Sequence, residues 1–161
     1  MRELNQAGLE LIKSFEGIMD GDPSTVNLDP YLDPVGIWTI GWGHAIVYGN
    51  QFLRGAAKKQ LAYSLYPGGI TKLQAESFLR QDAEEAAREV EHVVNGPLTD
   101  NQFGALVSFT FNLGPGNLIR LMRKGFKNVP DRILLFNQAG GKQLPGLTRR
   151  RKAERELFLK N

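Results

Sequence analysis

Between residues 16 and 44 the chain places one glutamate, four aspartates and one of its two histidines. Glu16 stands where an apolar-periodic run ends, between Phe15 and Gly17. A carboxyl at a helix end among apolar neighbours is suitable material for a general acid, because desolvation and the helix's terminal carbonyls both favour a protonated group near neutral pH. Downstream come Asp20, Asp22, Asp29 and Asp33, all in a stretch rich in turn formers. Two carboxyls in unlike surroundings, facing each other across a cleft, are the equipment of glycoside hydrolysis. Spacing alone does not choose the second one among the four. Asp20, Asp22 and Asp29 also invite comparison with a calcium loop. The regular ligand spacing and closing glutamate of an EF-hand are missing, so no metal is expected. The chain has no cysteine, which excludes disulfides, thiolate metal sites and thiol nucleophiles.

His44 ends the stretch GIWTIGWGH, where a catalytic base, a metal ligand and a structural tether all compete as readings. Trp38 and Trp42 share that stretch with Thr39 and read as core residues, although aromatic rings also stack on sugars. The run Arg149-Arg150-Arg151-Lys152 suggests nucleic acid at first sight. On a helix, however, four consecutive residues point in different directions, and Ala153, Leu157 and Phe158 supply an apolar face. A solvated face with Arg150 turned inward is the expected arrangement, and no nucleic-acid partner is expected.

The elements that must position these groups are legible as helices around a short β region. Leu4, Ala7, Leu11, Ile12 and Phe15 recur at helical spacing, so residues 5–15 read as an amphipathic helix with Asn5 or a neighbour as cap. From residue 17 to about 66 the chain is broken by Gly, Pro, Asp and Asn, with β-prone runs at 35–40 and 45–48, and reads as a small antiparallel β lobe. Residues 54–66 suit a short helix. Thr71 with Gln74 forms a capping-box pair that opens a long helix over 71–94. A second pair, Thr99 with Gln102, opens a helix through Leu113 that is apolar on nearly every side and belongs in a core. Shorter helices are expected near 117–126 and 130–139, and a last one from Thr148. The class is α+β, a single domain over 1–161, with a helical lobe over about 98–161.

Charge is unevenly shared. Residues 1–100 hold 8 Lys/Arg against 14 Asp/Glu, net −6, and residues 101–161 hold 12 against 3, net +9. Such polarity suggests an anionic partner for the second part, with a nucleic acid, a membrane surface or an acidic wall polymer all qualifying. No apolar run approaches the roughly 20 residues that span a bilayer. The N-terminus lacks signal-peptide anatomy, so the expectation is a soluble protein made in a cytoplasm.

Taken in order, Glu16-Gly17, Tyr31-x-Asp33, Gly36 and Thr39-Ile-Gly-Trp-Gly-His44 resemble the T4-type phage lysozymes of glycoside hydrolase family 24. Further segments match along the chain: Ile70-Thr-Lys with Ala75-Glu76 and Gln81-Asp82, then Phe111-Asn112-Leu113-Gly114, then Phe136-Asn137 through Gly146-Leu147 to Arg150-Arg151 and Glu154. The resemblance implies a lysozyme-like fold, with the β lobe joined by the long helix to a mainly helical lobe. It implies an endolysin that cleaves the β-1,4 bond between N-acetylmuramic acid and N-acetylglucosamine in peptidoglycan. Glu16 would be the general acid, Asp33 the second carboxylate, and Thr39 the residue that holds the attacking water. Phe111, Asn112 and Asn137 would line the cleft. No cofactor is implied, the chain would act as a monomer, and release to the wall would need a holin-like membrane partner.

Two departures from the pattern stand out. Sixteen residues separate Glu16 from Asp33, more than the family's usual gap, so the insert is expected to project as a loop and leaves Asp29 or Asp22 as substitutes for Asp33. After Gly116 a Ser/Thr-rich stretch of the family is shortened to Asn117-Leu-Ile-Arg-Leu-Met. The resemblance also bears on His44. Asp82 falls between Leu79 and Ala86 on the apolar face of the long helix, and a charge there needs a partner. The family's matching histidine pairs with this aspartate, so His44–Asp82 is expected to tether the sheet to the helix. Two other functions compete: a lytic transglycosylase, against which Asp33 and Thr39 argue, and a wall- or nucleic-acid-binding module without chemistry.

Overall fold

A computed structural model describes residues 1–161, and the chain divides into two compact units, one of residues 16–82 and one of residues 1–15 with 83–161. Helix α1 (Gln6–Glu16) is opened by Asn5, whose Oδ1 accepts the Gly8 amide at 3.0 Å, the expected side-chain cap. Its buried residues are Gly8, Leu9 and Ile12.

The unit of residues 16–82 begins with the insert. Asp20 Oδ1 accepts the amides of Asp22 and Asp29, each at 3.0 Å, and the buried Asp29 carboxylate accepts the Thr25 hydroxyl. Leu28 exchanges two backbone bonds of 2.8 Å with Ile70. The insert therefore projects less than its composition suggests, with Val26 at its exposed tip and its base tied back on both sides. Three short strands follow in an antiparallel sheet: β1 (Tyr31–Leu32), β2 (Trp38–Ile40) and β3 (His44–Ala45). Their register pairs Tyr31 with Thr39, Leu32 with Trp38, Thr39 with Ala45 and Ile40 with His44. Strands β4 (Val47–Tyr48) and β5 (Gln51–Phe52) form a separate hairpin. A 3-10 turn at Ala56–Lys58 leads into α2 (Lys59–Leu65).

The long helix is α3 (Lys72–Val93), with both capping-box bonds formed between Thr71 and Gln74. Ala75, Leu79, Ala83, Ala86, Ala87 and Val90 form its buried stripe. Gly41 has φ +65, and a Cβ built on it would meet the Ala75 Cβ at 2.9 Å, so this sheet turn approaches the helix only because it lacks a side chain.

In the other unit the second capping box, Thr99 with Gln102, opens α4 (Asp100–Leu113), in which every residue from Phe103 to Thr110 is buried. Near-continuous apolarity was thus a core signature, and α4 packs against α7 (Pro145–Leu159), the C-terminal helix. Between them lie α5 (Pro115–Met122), a 3-10 turn at Phe126–Asn128, and the single turn α6 (Val129–Arg132) followed by a 3-10 turn at Ile133–Leu135. The helix expected over 130–139 is cut short. In its place a hairpin of β6 (Gln138–Ala139) and β7 (Lys142–Gln143) turns at Gly140–Gly141, whose φ values of 59 and 77 suit the tight turn that favours a glycine pair. The last helix starts three residues before Thr148, at Pro145, where a missing N–H costs nothing.

Gly41→Ala should lower unfolding stability by about 2–4 kcal/mol, since it combines a left-handed backbone with a steric overlap. Urea unfolding of the variant checks this, and a change near zero would mean that α3 yields to the sheet.

Candidate active site

Glu16 is the last residue of α1 and is half-buried. Asp33 follows β1 and shapes the turn into β2: its Oδ1 accepts the amides of Val35 at 3.0 Å and Ile37 at 2.8 Å. Its main chain closes the same turn, donating to the Ile37 carbonyl at 2.9 Å and accepting from Gly36 at 3.0 Å. Thr39 lies in the middle of β2, buried, and its hydroxyl donates to the Ile37 carbonyl at 3.0 Å. With its proton so engaged, the hydroxyl presents lone pairs to any incoming donor.

The residue that relates these groups is Tyr31, opposite Thr39 in the sheet. Its hydroxyl lies 3.4 Å from the Gly41 carbonyl. Burial pushes the phenol above its ordinary value, and the charges of Asp33 and Glu16 push it the same way. Both carboxylates are therefore close enough to act on a single phenol. Tyr31 was visible in the Tyr31-x-Asp33 motif but carried no role there. The substitutes for Asp33 are differently employed. Asp29 is buried and tied to Thr25, and Asp22, partly exposed, is held below the usual carboxylate range by hydrogen bonds from the Ser24 hydroxyl and amide.

His44 Nδ1 stands 3.0 and 3.1 Å from the two oxygens of Asp82, so the expected pair is formed. The pair is not fully buried, with side-chain exposures of 24% and 32%. The imidazole also stacks on Phe78, with centroids 4.5 Å apart and planes at 20°. Phe78 and Asp82 are four apart on α3, so one helix face offers the ring both a stack and a hydrogen bond. Trp38 and Trp42 are buried, as core residues are, and the Trp38 indole donates to the Gly55 carbonyl at 2.8 Å.

The other expected residues lie in the unit built on α4 and α7. Phe111 lines a pocket of about 230 Å³ together with Glu85, Ala86, Glu89, Thr110, Gly114 and Pro115. Asn112 Oδ1 accepts from Arg151 Nη2 at 2.8 Å, and Asn137 Nδ2 donates to the Thr148 hydroxyl at 3.1 Å. Arg150 is turned inward as expected, but it is not the sole inward arginine. Arg151 is fully buried, and both close on the fully buried Glu154. Arg150 Nε lies 3.3 Å from Glu154 Oε1; Arg151 Nη2 lies 3.0 Å from the same oxygen, and its Nε is 2.8 Å from Oε2. That last contact is an ion pair without hydrogen-bond alignment. Ser108 donates to Glu154 Oε1 at 2.9 Å. Burial pushes the Glu154 carboxyl up and the Arg151 guanidinium down, and each ion opposes the other's shift. The signal missed in the sequence was spacing: Arg150 and Arg151 stand four and three residues before Glu154. The stem of Arg150 ends over the Phe15 ring, 5.7 Å from its centroid.

Short antiparallel strands together with the long helix α3 and the buried helix α4 define a lysozyme-like α+β fold. A family model described as phage lysozyme matches residues 14–154, and the chain belongs to that family. It is 34% identical over 163 residues to an endolysin of Bacillus phage B103, a match that covers 97% of this chain and 54% of the relative. An endolysin of Acyrthosiphon pisum secondary endosymbiont phage 1 is 31% identical over 166 residues, covering 96% of this chain and 97% of the relative. Among solved structures, the muramidase domain of SpmX from Asticaccaulis excentricus superposes with a TM-score of 0.71 at 29% identity, covering all of both chains. The chain spans about half the length of the Bacillus phage endolysins it matches.

Two stability effects should separate the clusters. Glu154→Gln takes the charged partner from the fully buried Arg151 guanidinium and should cost about 3–5 kcal/mol in denaturant unfolding. His44→Asn, at a half-exposed pair, should cost only about 1 kcal/mol. It should leave low-temperature activity in place, and a collapse of activity in a folded His44→Asn protein would make the imidazole a chemical group.

Proposed function

We propose that this chain is a muramidase that hydrolyses the β-1,4 bond between N-acetylmuramic acid and N-acetylglucosamine in peptidoglycan. The observation that carries the reading is the fixed Asp33 turn beside Thr39: the Val35 and Ile37 amides hold one Asp33 oxygen, and Tyr31, two residues before Asp33, pairs with Thr39 in the sheet. Family membership and the printed names of the relatives support the reaction class.

Glu16 protonates the leaving glycosidic oxygen, and Asp33 remains ionised to stabilise positive charge that develops at the anomeric carbon. The turn amides of Val35 and Ile37 hold one Asp33 oxygen and thereby orient the other. Thr39, its proton committed to Ile37, accepts a hydrogen bond from water and leaves a water lone pair free to attack. Tyr31, its phenol pushed up by burial, stays protonated. His44 and Asp82 act as a tether, Arg150 supports α1 through Phe15, and Phe111, Asn112 and Asn137 contact the glycan. The substrate partner is the peptidoglycan strand, and the net +9 of residues 101–161 favours approach to an acidic wall. No helix is long and apolar enough to cross a membrane. On the family resemblance alone, release to the wall is assigned to a separate holin-like membrane protein.

The test is mass spectrometry of fragments released from purified peptidoglycan. Reducing N-acetylmuramic ends are expected, and Glu16→Gln should lower the rate by about 10²–10⁴-fold while Asp33→Asn lowers it strongly without unfolding the chain. Anhydro ends would instead assign the chain to the transglycosylases, and the absence of any fragment would leave a binding module.

A further inference from the structure

The β4–β5 hairpin has no part in the chemistry above, yet it concentrates large side chains at the surface. Val47, Tyr48 and Phe52 are each about half exposed, at 52%, 57% and 52%. Apolar residues scattered singly need no explanation, but Val47 and Phe52 pair on one face of the ladder and form a patch there, while Tyr48 takes the opposite face. The base of the hairpin is firmly held. Ile46 and Leu53 are buried, and Leu53 donates to Ile46 at 2.9 Å, Ile46 to Trp38 at 2.8 Å, and Trp38 back to Leu53 at 2.9 Å. The ladder thus runs from the Thr39-bearing strand into the hairpin without a hinge.

Val47 and Phe52 face each other across the ladder, and together with Asn50, Gln51 and Arg54 they line an open pocket of about 350 Å³. Arg54 is exposed and makes no ion pair. Its backbone bridges Ile37, whose amide donates to Asp33 Oδ1 at 2.8 Å, so the pocket stands one bridge away from the proposed second carboxylate. A ring and a branched aliphatic accept apolar surface, two primary amides pair with peptide groups, and a guanidinium takes a carboxylate in bidentate fashion. That combination is not what a bare glycan asks for. Peptidoglycan stem peptides, in contrast, carry small apolar side chains, peptide groups and free carboxylates on the same strand as the scissile bond.

Resting on the muramidase reading, we propose that the hairpin pocket receives a stem peptide of the substrate strand. Arg54 pairs with a peptide carboxylate, Asn50 and Gln51 bond to its backbone, and Val47 and Phe52 cover an alanine-sized side chain. A second copy of the chain fits less well, because the same patch on a partner holds no carboxylate to meet Arg54.

The experiment compares kcat/KM on purified glycan strands that retain their stem peptides with kcat/KM on strands stripped of them by an amidase. The chain should prefer peptide-bearing strands, and Arg54→Glu should reduce that preference at least about fivefold, with Phe52→Ser acting in the same direction. A preference unchanged by either variant would overturn the proposal, as would an equal fall on both substrates, which would assign Arg54 to the sugar backbone. A dimer in sedimentation that Phe52→Ser dissolves would give the patch to a second copy. If no strand of either kind is cleaved, the muramidase reading itself fails. The pocket is then judged by an NMR titration with soluble stem tetrapeptide: shifts confined to residues 47–54 sustain peptide binding, and none refute it.

Discussion

Asp33 Oδ1 takes the amides of Val35 and Ile37, and those two bonds close the turn between β1 and β2. The strands are only two and three residues long, so the ladder by itself pins register weakly. A slip of one residue would send Thr39 to the other face of the sheet and bring a different residue opposite Tyr31. The same turn presents Ile37 to Arg54 and Trp38 to Leu53, so the second hairpin inherits its position from the first. A group proposed for chemistry is therefore also a piece of framework. Asparagine at position 33 keeps the Oδ1 acceptor and removes only the charge, whereas alanine would remove the turn as well, so the two substitutions ask different questions.

The unit built on α4 and α7 meets a different constraint. Two guanidinium groups and one carboxylate are withdrawn from water together. Glu154 faces both guanidinium groups, and neutral groups add further partners: the Ser108 hydroxyl and carbonyl, Asn112 Oδ1, and the rings of Phe109 and Phe15. Burying a charge is costly enough that such an arrangement persists only when nearly every donor finds a partner. Arg150 also covers Phe15, the residue before Glu16, so the last turn of α1 is held from this cluster.

The strongest local signals in the sequence were those with one physical meaning. Both capping boxes formed, because a Thr and a Gln at that spacing satisfy helix-end amides whatever surrounds them. Asn5 caps α1 for the same reason, and the all-round apolarity of α4 has no stable place except a core. The segment from Pro130 misled, since the helix expected over 130–139 stops after a single turn and gives way to a glycine-paired hairpin. There tertiary packing overrode a short-range pattern. The carboxylates were legible as candidates, but nothing in the spacing chose Asp33 over Asp22 or Asp29. That choice came from the resemblance and stays a proposal, to which the structure adds only that the Asp29 carboxylate is occupied by the Thr25 hydroxyl. Arg151 and Tyr31 were overlooked because each looked like a neighbour of something more obvious.

The charge polarity of the chain is also clearer with side chains in place. Of the cations in residues 101–161, Arg150 and Arg151 are withdrawn into the core, and Arg132 and Arg155 donate to backbone carbonyls. Arg120, Arg123, Lys124, Lys127, Lys142, Arg149, Lys152 and Lys160 are exposed. Charges of this kind act over a Debye length of about 10 Å at 0.1 M salt, so under the proposed function they speed encounter with an acidic wall without choosing a bond. Specificity has to come from groups held at fixed positions. Those are concentrated in the sheet-bearing unit, which carries the Asp33 turn, Thr39 and the rigid hairpin beyond it. One part of the sequence can therefore vary its surface cations freely in number and place, while the other tolerates little change in spacing.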